Sequence, residues 1–524
     1  MANAQQKISM RILMVAAENG GLPGGKVGGM GDVVRDIPDA LAKQGCRVDV
    51  LIPGYQHFSK LQGAKKLSSV DVGFGGGTEQ VAVYKILEKS RGKVRYLALE
   101  HPLFGLAGAG KIYCDDPPHR PFASDATKFA LFSAAVCEAL NQGALKKPDI
   151  LHLHDWHSAL VAVLAKFDPK FKSLSRLHTV YTIHNLSLQG IRPFHGDSSS
   201  LAAWFPNLRY DAAAIKDPRY PECINPMRAA INLCDRIHAV SPNYAREICL
   251  PSNPEMGYVG GEGLEQDLKS AAKQNRLVGI LNGCEYPRGR KKPDFQDFLV
   301  QAKQQVMAWI GANRVMQSAH FIAHQTILAW MEKPQPEFLV TSVGRLTNQK
   351  AQLLKETLPD GRSGMQAVLD VLAPDSAVIM LGSGDPDYED FFTSIAARDD
   401  RLLFLRGYAE TLSDQIYSLG ELFLMPSSFE PCGISQMLAM RTGQPCLVHG
   451  VGGLLDTVKD GDNGFVFKGD SVSDQVQGML TRFEEAQTLR NEEARNWKRV
   501  CTSAAKARFT WSAVATQYIE SLYH

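Results

Sequence analysis

The sequence has no apolar run approaching the roughly 18 residues needed to cross a bilayer, so no membrane-spanning helix is expected and no membrane is a partner. Its first apolar run, Ile12–Ala17, is too short and too strand-like for a signal peptide. There is no Cys-x-x-Cys pair among the ten scattered cysteines, which argues against a zinc ribbon or dithiol redox motif. A large chain without a disulfide framework fits a reducing cytoplasm. There is no excess of one sign of charge: the formal net charge is +2, so no global field draws in nucleic acid or an anionic surface. Repeats and low-complexity tracts are absent. What remains is a 524-residue chain with 44% hydrophobic and 21% charged residues, an ordinary globular composition with room for about two to four domains.

Short apolar strands alternate with helical stretches from the start. Ile12–Ala17 reads as a buried strand, followed by the glycine-rich loop Gly20–Gly31 and a helix in which Val33, Val34, Ile37 and Leu41 share a face. Asp32 is placed to cap that helix and Gly45 to stop it; Pro38 implies a kink. Arg47–Pro53 is the next strand, completing a βαβ opening. Glycines let backbone approach an anion, and Lys26 adds a point charge. Neither G-x-G-x-x-G nor G-x-x-x-x-G-K-[ST] fits the loop, so the dinucleotide and P-loop fingerprints do not apply.

Val81–Ile86 and Val94–Leu99 read as hairpin material, 124–141 as a helix, and Pro148–His154 as a strand. That strand ends in His152-Leu153-His154-Asp155-Trp156-His157. On a strand His152 and His154 point the same way, so a two-ligand metal site is geometrically possible. The aspartate falls one position early for H-x-H-x-D-H, and no second ligand cluster accompanies it. The alternative is a polar strand end with Asp155 and His157 lining a cleft. Thr179–Ile183 is a further strand, closed by His184-Asn185; Leu233–Val240 and Leu277–Leu281 follow.

Residues 285–336 change character, opening on Arg288-Gly289-Arg290-Lys291-Lys292, a solvated turn or an anion contact, and continuing Gln-, Ala- and Met-rich. They read as a connection into a second α/β domain. There, Phe338–Val343 leads into Gly344-Arg345-Leu346-Thr347-Asn348-Gln349-Lys350, and Ala377–Leu381 into Gly382-Ser383-Gly384-Asp385. Leu402–Leu405, Leu422–Met425 and Cys446–Val448 are strands of the same kind, the last leading to Gly450-Val451-Gly452-Gly453-Leu454. This is a second doubly wound sheet. Arg345 and Lys350 on one strand-end loop suit a diphosphate, one as a planar fork and one as a point charge. After Leu422–Met425 comes Ser428-Phe429-Glu430-Pro431-Cys432-Gly433-Ile434-Ser435-Gln436. Glu430, between strand and helix, is either an acceptor for sugar hydroxyls or a helix N-terminal acid contributing up to about 1 kcal/mol.

Six motifs in order resemble the bacterial glycogen synthases and plant starch synthases: Lys26-Val27-Gly28-Gly29-Met30-Gly31-Asp32-Val33, His154-Asp155-Trp156-His157, Tyr181-Thr182-Ile183-His184-Asn185, Ala239-Val240-Ser241-Pro242, Gly344–Lys350, and Ser428–Gln436 with Gly452-Gly453-Leu454. The resemblance runs from Arg11 to about Tyr523. It implies the GT-B architecture, two Rossmann-like α/β domains facing a central cleft. The N-terminal, acceptor-side domain would span 1–284 and be completed by a C-terminal helix at about 506–524, with 285–336 the inter-domain connection and 337–505 the nucleotide-sugar-binding domain.

The reaction implied is retaining transfer of glucose from ADP-glucose to the non-reducing 4-hydroxyl end of glycogen or another α-1,4-glucan, with no metal and no cofactor. By the same resemblance Lys26, Asp155, His184, Arg345, Lys350 and Glu430 are the catalytic set. Gly28, Gly29, Asn185, Gly384, Cys432, Gly433, Gly452 and Gly453 line the substrates. Arg345 and Lys350 would hold the diphosphate, Glu430 would position the donor glucose, and domain closure would complete the site. No pair of carboxylates at nucleophile distance is evident, which favours same-face attack over a covalent intermediate.

The sequence departs from the family at Val27 (usually Thr), Ala351 (Gly) and His449-Gly450-Val451 (Arg-Arg-Thr); Leu438 stands where wider relatives have a second Glu, one generally missing from glycogen synthases too. Those departures leave two other functions open: the same fold with UDP-glucose or another acceptor, or a weakly catalytic glucan-binding homologue.

Overall fold

A computed structural model describes residues 10–287, 292–312 and 315–524. The basic cluster from Arg288 to Lys291 lies outside the described residues. The chain divides into two compact units: Met1–Ser252 with Gly260–Gly283 and Trp511–His524, and Asn253–Val259 with Cys284–Thr510.

The first unit holds strands β1 (Arg11–Val15), β2 (Arg47–Pro53), β3 (Ala64–Phe74), β4 (Gly77–Ile86), β5 (Val94–Glu100), β6 (Ile150–His154), β7 (His178–Ile183), β8 (Arg192–Pro193), β9 (Cys223–Ile224), β10 (Arg236–Ala239) and β11 (Leu277–Gly279). Nine of them form one sheet in the order β11-β10-β7-β6-β1-β2-β5-β4-β3. It is parallel except where β4 pairs with β3 and β5. β1 lies between β2 and β6, so the chain reverses its direction of winding there. In an open α/β sheet that point, at the carboxyl ends of the strands, is where ligands bind. β1 is apolar because helices cover both its faces: Ile12, Met14 and Val15 are fully buried.

The helix after β1 runs Gly29–Lys43, starting three residues before the cap position expected for Asp32. Its N-cap is Gly28, with no side-chain cap bond. Asp32 instead lies in the first turn, where a carboxylate complements the helix dipole. The helix continues through Pro38. It ends at Gly45, which takes φ +109° and donates its N–H to Ala42 O at 3.1 Å. The final helix, Trp511–Ser521, packs on this one: Trp511 Nε1 donates to Asp36, and Gln44 Nε2 donates to Ser512 O.

The second unit holds β12 (Phe338–Val343), β13 (Ser376–Gly382), β14 (Leu402–Arg406), β15 (Leu422–Met425), β16 (Cys446–His449) and β17 (Gly464–Phe467). All pair in parallel, in the order β14-β13-β12-β15-β16-β17. Successive residues face opposite layers: Val378 and Met380 join one core, while Ala377, Ile379 and Leu381 join the other. The second core is completed by helices Phe295–Ala312 and Ser318–Met331. The 285–336 stretch, read from sequence as a connection, thus supplies a covering layer of this unit. Its Phe295, Phe298, Leu299, Ala302 and Val306 recur at helical spacing on the buried face. Among the described residues no helix is long and apolar enough to cross a membrane.

Candidate active site

In the first unit, the glycine-rich loop after β1 is held by a residue that no motif marks. Glu18, 3% exposed, accepts Val27 N–H at 2.8 Å and Gly28 N–H at 2.7 Å through one oxygen, and Tyr113 Oη–H at 2.8 Å through the other. Loop 112–114, which carries Tyr113, is tied in turn to buried Lys128. That ammonium donates to Asp125 at 2.5 Å and to the Ile112 carbonyl. Lys26 pairs with Asp32 at 2.7 Å, and Asp32 also meets Arg35 at 3.1 Å. The lysine is therefore a partly compensated charge beside exposed backbone. A Cβ on Gly29 would meet nothing within 4 Å, so the fold itself does not require glycine there.

Next to β1, β6 and β7 end side by side. Asp155 follows β6 at φ +52°, an unusual backbone for a non-glycine residue. The turn buries its carboxylate, which accepts His184 N–H at 2.7 Å. Burial pushes the Asp155 carboxyl up to about 8, against the lowering effect of the His184 and Asn185 N–H groups. His184 shares a 2.9 Å hydrogen bond with His154, and desolvation holds His184 well below the ordinary imidazole range. Asn185 Oδ1 accepts Ser187 N–H at 3.0 Å and shapes the turn beyond β7. His157 packs its ring on Phe129 and Trp156 and lies 5.6 Å from Tyr113. Tyr113 therefore joins the Glu18 loop to this strand end.

The metal reading of His152, His154 and His157 meets a different arrangement. Both ring nitrogens of His152 are engaged, by Tyr523 Oη at 2.9 Å and Thr182 Oγ1 at 2.6 Å. Among the described residues no group of three or more His, Cys, Asp or Glu side chains is set to hold a metal ion.

In the second unit the winding reverses between β12 and β15, and the loops after these two strands carry the cations and the acid. Lys350 Nζ donates to Glu430 Oε2, with side-chain exposures of 21% and 7%; Ser427 Oγ donates to the same oxygen at 3.2 Å. Gln349 stitches the loops together: its carbonyl accepts Ser428 N–H at 2.8 Å and its side chain donates to Phe429 O at 3.1 Å. Arg345, one turn earlier, is exposed and forms no ion pair with any described residue. Glu430 does not cap a helix. The following helix is Ser435–Met440, with Ile434 as its N-cap, which leaves Glu430 before its first turn. The arrangement is a buried carboxylate held by one cation, with a second, exposed cation on the same edge.

The glycines of this unit are fixed by close approach. A Cβ on Gly384 would fall 2.4 Å from Leu346 O, and one on Gly453 2.3 Å from Cys432 O. Gly433 and Gly452 take φ +73° and +43°. Gly453 N–H donates to the Glu430 carbonyl at 3.0 Å. Cys432 is buried, and its carbonyl accepts Gln436 Nε2–H at 3.2 Å. Glu389, which carries no sequence signal, accepts Gly384 N–H at 2.8 Å and pairs with Arg406. His449 bonds the Ser427 carbonyl through Nδ1 at 3.0 Å and stacks on Phe467.

Residues 11–270 match the family model described as starch synthase catalytic domain, and 329–499 that of glycosyl transferases group 1. A glycogen synthase of Gloeobacter violaceus is 34% identical over 524 residues, 98% of each chain. One of Streptococcus equi subsp. equi is 31% identical, covering 98% of this chain and 99% of that one. Among solved structures, the catalytic domain of starch synthase IV from Arabidopsis thaliana, bound to ADP and acarbose, superposes with a TM-score of 0.74 at 27% identity, covering 98% of this chain and 99% of that one. With two Rossmann-like units of GT-B type and this likeness along nearly its full length, the chain belongs to the glycogen synthase and starch synthase family of glycosyltransferases and is a glucan synthase.

Proposed function

We propose that the protein transfers glucose from ADP-glucose to the non-reducing 4-hydroxyl of an α-1,4-glucan with retention of configuration, as a step of glycogen synthesis. The observation that carries this reading is the Lys350–Glu430 contact beside Arg345, at the point where the second sheet reverses its winding. Departure of a nucleoside diphosphate gathers negative charge on its phosphates. Fixed cations stabilise that charge more in the transition state than in the ground state. Arg345 and Lys350 supply those cations, so no metal is called upon. Glu430 accepts hydroxyls of the donor glucose, and Gly384, Cys432, Gly433, Gly452 and Gly453 bring backbone close to the nucleotide sugar.

From the first unit, Lys26, Gly28 and Gly29 attend the sugars, and Asp155, His184 and Asn185 flank the reacting centre. With no second carboxylate evident beside Glu430 among the described residues, the acceptor hydroxyl attacks on the face the diphosphate leaves, and the departing phosphate takes its proton. The ADP and acarbose named for the Arabidopsis structure support an ADP-linked donor and a glucan-like acceptor.

The test is donor competition: EDTA-treated enzyme, glycogen, and equimolar ADP-glucose and UDP-glucose carrying different labels. Label from ADP-glucose should dominate the polymer and be released by an α-1,4-specific amylase. Dominant incorporation from UDP-glucose, or a product resistant to the amylase, would overturn the assignment.

A further inference from the structure

Three imidazoles lie in a stack behind the end of β7. The His152 and His154 rings are 4.4 Å apart and 18° from parallel; those of His154 and His184 are 5.2 Å apart and 23° from parallel. A chain of hydrogen bonds fixes the bottom of the stack. His238 Nε2 lies 3.1 Å from the Ile280 carbonyl, which only accepts, so Nε2 carries the His238 proton. His238 Nδ1 then accepts from Thr182 Oγ1 at 3.0 Å, with Tyr518 Oη a longer second donor at 3.4 Å. The threonine hydroxyl has one hydrogen, so it accepts from His152 Nε2 at 2.6 Å. His152 Nδ1 is left to accept Tyr523 Oη–H at 2.9 Å. With Thr182, the nearer of the two hydroxyls, as the donor to His238, the protons are ordered from the Ile280 carbonyl to Tyr523.

The upper pair is ordered by a different constraint. His154 Nδ1 and His184 Nε2 are 2.9 Å apart with one hydrogen between them. His154 Nε2 is buried and has no partner among the described residues. If His184 supplied the shared hydrogen, His154 would carry its own on Nε2, leaving a buried N–H without an acceptor. If His154 supplies it, only a lone pair is left over. Orphaned buried N–H donors are the rarer of the two. Burial holds both rings neutral, His154 down to about 3 and His184 well below its ordinary value. Each ring therefore carries one proton.

We propose that His154 is a positioning residue: its Nδ1–H donates to His184 Nε2 and locks His184 as the Nδ1-protonated tautomer, so that the ring offers an N–H from its other nitrogen. In water neutral histidine favours the opposite form, so the lock has something to overcome. The hydrogen bond made by one ring nitrogen sets the state of the other. The kinetic consequence rests on the placement of His184 at the reacting centre proposed above; the tautomer does not.

The experiment is two-bond ¹⁵N–¹H correlation spectroscopy on full-length protein labelled with ¹⁵N-histidine, with His184→Gln to assign the His184 signals. The wild type at pH 7.5 should show His184 Nδ1 protonated and Nε2 bare. In His154→Leu the His184 signals should move toward the Nε2–H form. Loss of the partner that orients a metal-bound imidazole costs about 10–100-fold; a loss of that order should appear here in kcat, with KM for donor and glucan within about twofold. His154→Asn, which retains a donor near the Nδ1 position, should recover most of it. A wild-type His184 protonated on Nε2 would overturn the proposal whether or not any variant folds. A folded His154→Leu with unchanged tautomer and kcat would do the same. Failure of the wild type with every nucleotide-glucose donor would sink the functional reading and leave the tautomer result standing.

Discussion

Replacing Glu18 by Ala removes one carboxylate and strands three donors: Val27 N–H, Gly28 N–H and Tyr113 Oη–H, at 2.8, 2.7 and 2.8 Å. Hydrogen bonds to a charged group contribute about 1.5–3 kcal/mol each. A simple sum overstates the loss, because Val27 is 46% exposed and water can reach the freed backbone groups. About 2–3 kcal/mol is the expected local cost, concentrated in the glycine loop. At about 1.4 kcal/mol per tenfold, amide exchange across Val27–Gly31 should quicken roughly 30- to 100-fold. The thermal midpoint should fall by about 4–10 °C, scaled for a domain of a few hundred residues. Glu18→Gln keeps an oxygen for the two N–H groups and turns its amide toward the tyrosine oxygen, so about 1 kcal/mol and a tenth of the exchange effect are expected. The assay is hydrogen exchange read by mass spectrometry on wild type and both variants, with melting curves. Loop exchange within twofold of wild type in Glu18→Ala would refute the claim that this carboxylate holds the loop.

Glu430→Gln should lower kcat at least about 100-fold, the scale of losing one electrostatic contact to the reacting group, in a protein that still melts cooperatively; near-normal turnover would return Glu430 to a structural role. Gly29→Ala and Gly453→Ala should part company: the added methyl meets nothing at 29, so stability holds while substrate KM rises, whereas at 453 it meets Cys432 backbone and the second unit loses stability. Stability should also fall on acidification. His152, His154, His157, His184 and His238 are all depressed by burial, His154 and His157 to about 3 and His238 to about 4. The unfolded chain takes up protons below about 6.5 that the folded chain refuses, so each contributes stability present above that pH and lost below it, by up to about 1.4 kcal/mol per pH unit. Asp155, raised to about 8, runs the other way, its folded form keeping a proton that the unfolded carboxylate releases above about 4. Urea midpoints should therefore drop from pH 6.5 to 4.5, and Asp155→Asn should remove a decline between pH 6.5 and 8; a flat profile would contradict both.

Most of the parallel strands were legible because each is a short apolar run closed by small or polar residues, as at Ile183-His184 and Met425-Pro426; β3, with Lys65, Lys66, Ser68, Ser69 and Asp71, carries no such run, and β17 is not read as a strand from sequence. Neighbourhood was less so. Lys350 meets Glu430 only because β15 inserts beside β12, past two intervening strands, and local sequence carries no record of that order. Glu18 is a lone acid after a strand, indistinguishable in sequence from a solvated one, and its three donors come from its own glycine-rich loop and from the distant loop that carries Tyr113. Asp32 looked like a cap because apolar periodicity becomes visible only at Val33, whereas the helix begins among glycines that carry no period. The Gln-rich helices between the two sheets read as a connection because their exposed faces dominate the composition. The apolar stripe from Phe295 to Val306 acquires meaning once a sheet face needs covering.

Transfer of radiolabelled glucose from ADP-glucose into glycogen by wild type and by Lys350→Ala tests the central claim most directly. One ADP should be released for each glucose incorporated by the wild type, and the variant should lose at least about 100-fold in kcat. Incorporation by a folded Lys350→Ala at the wild-type rate, or no incorporation by the wild type, would contradict it.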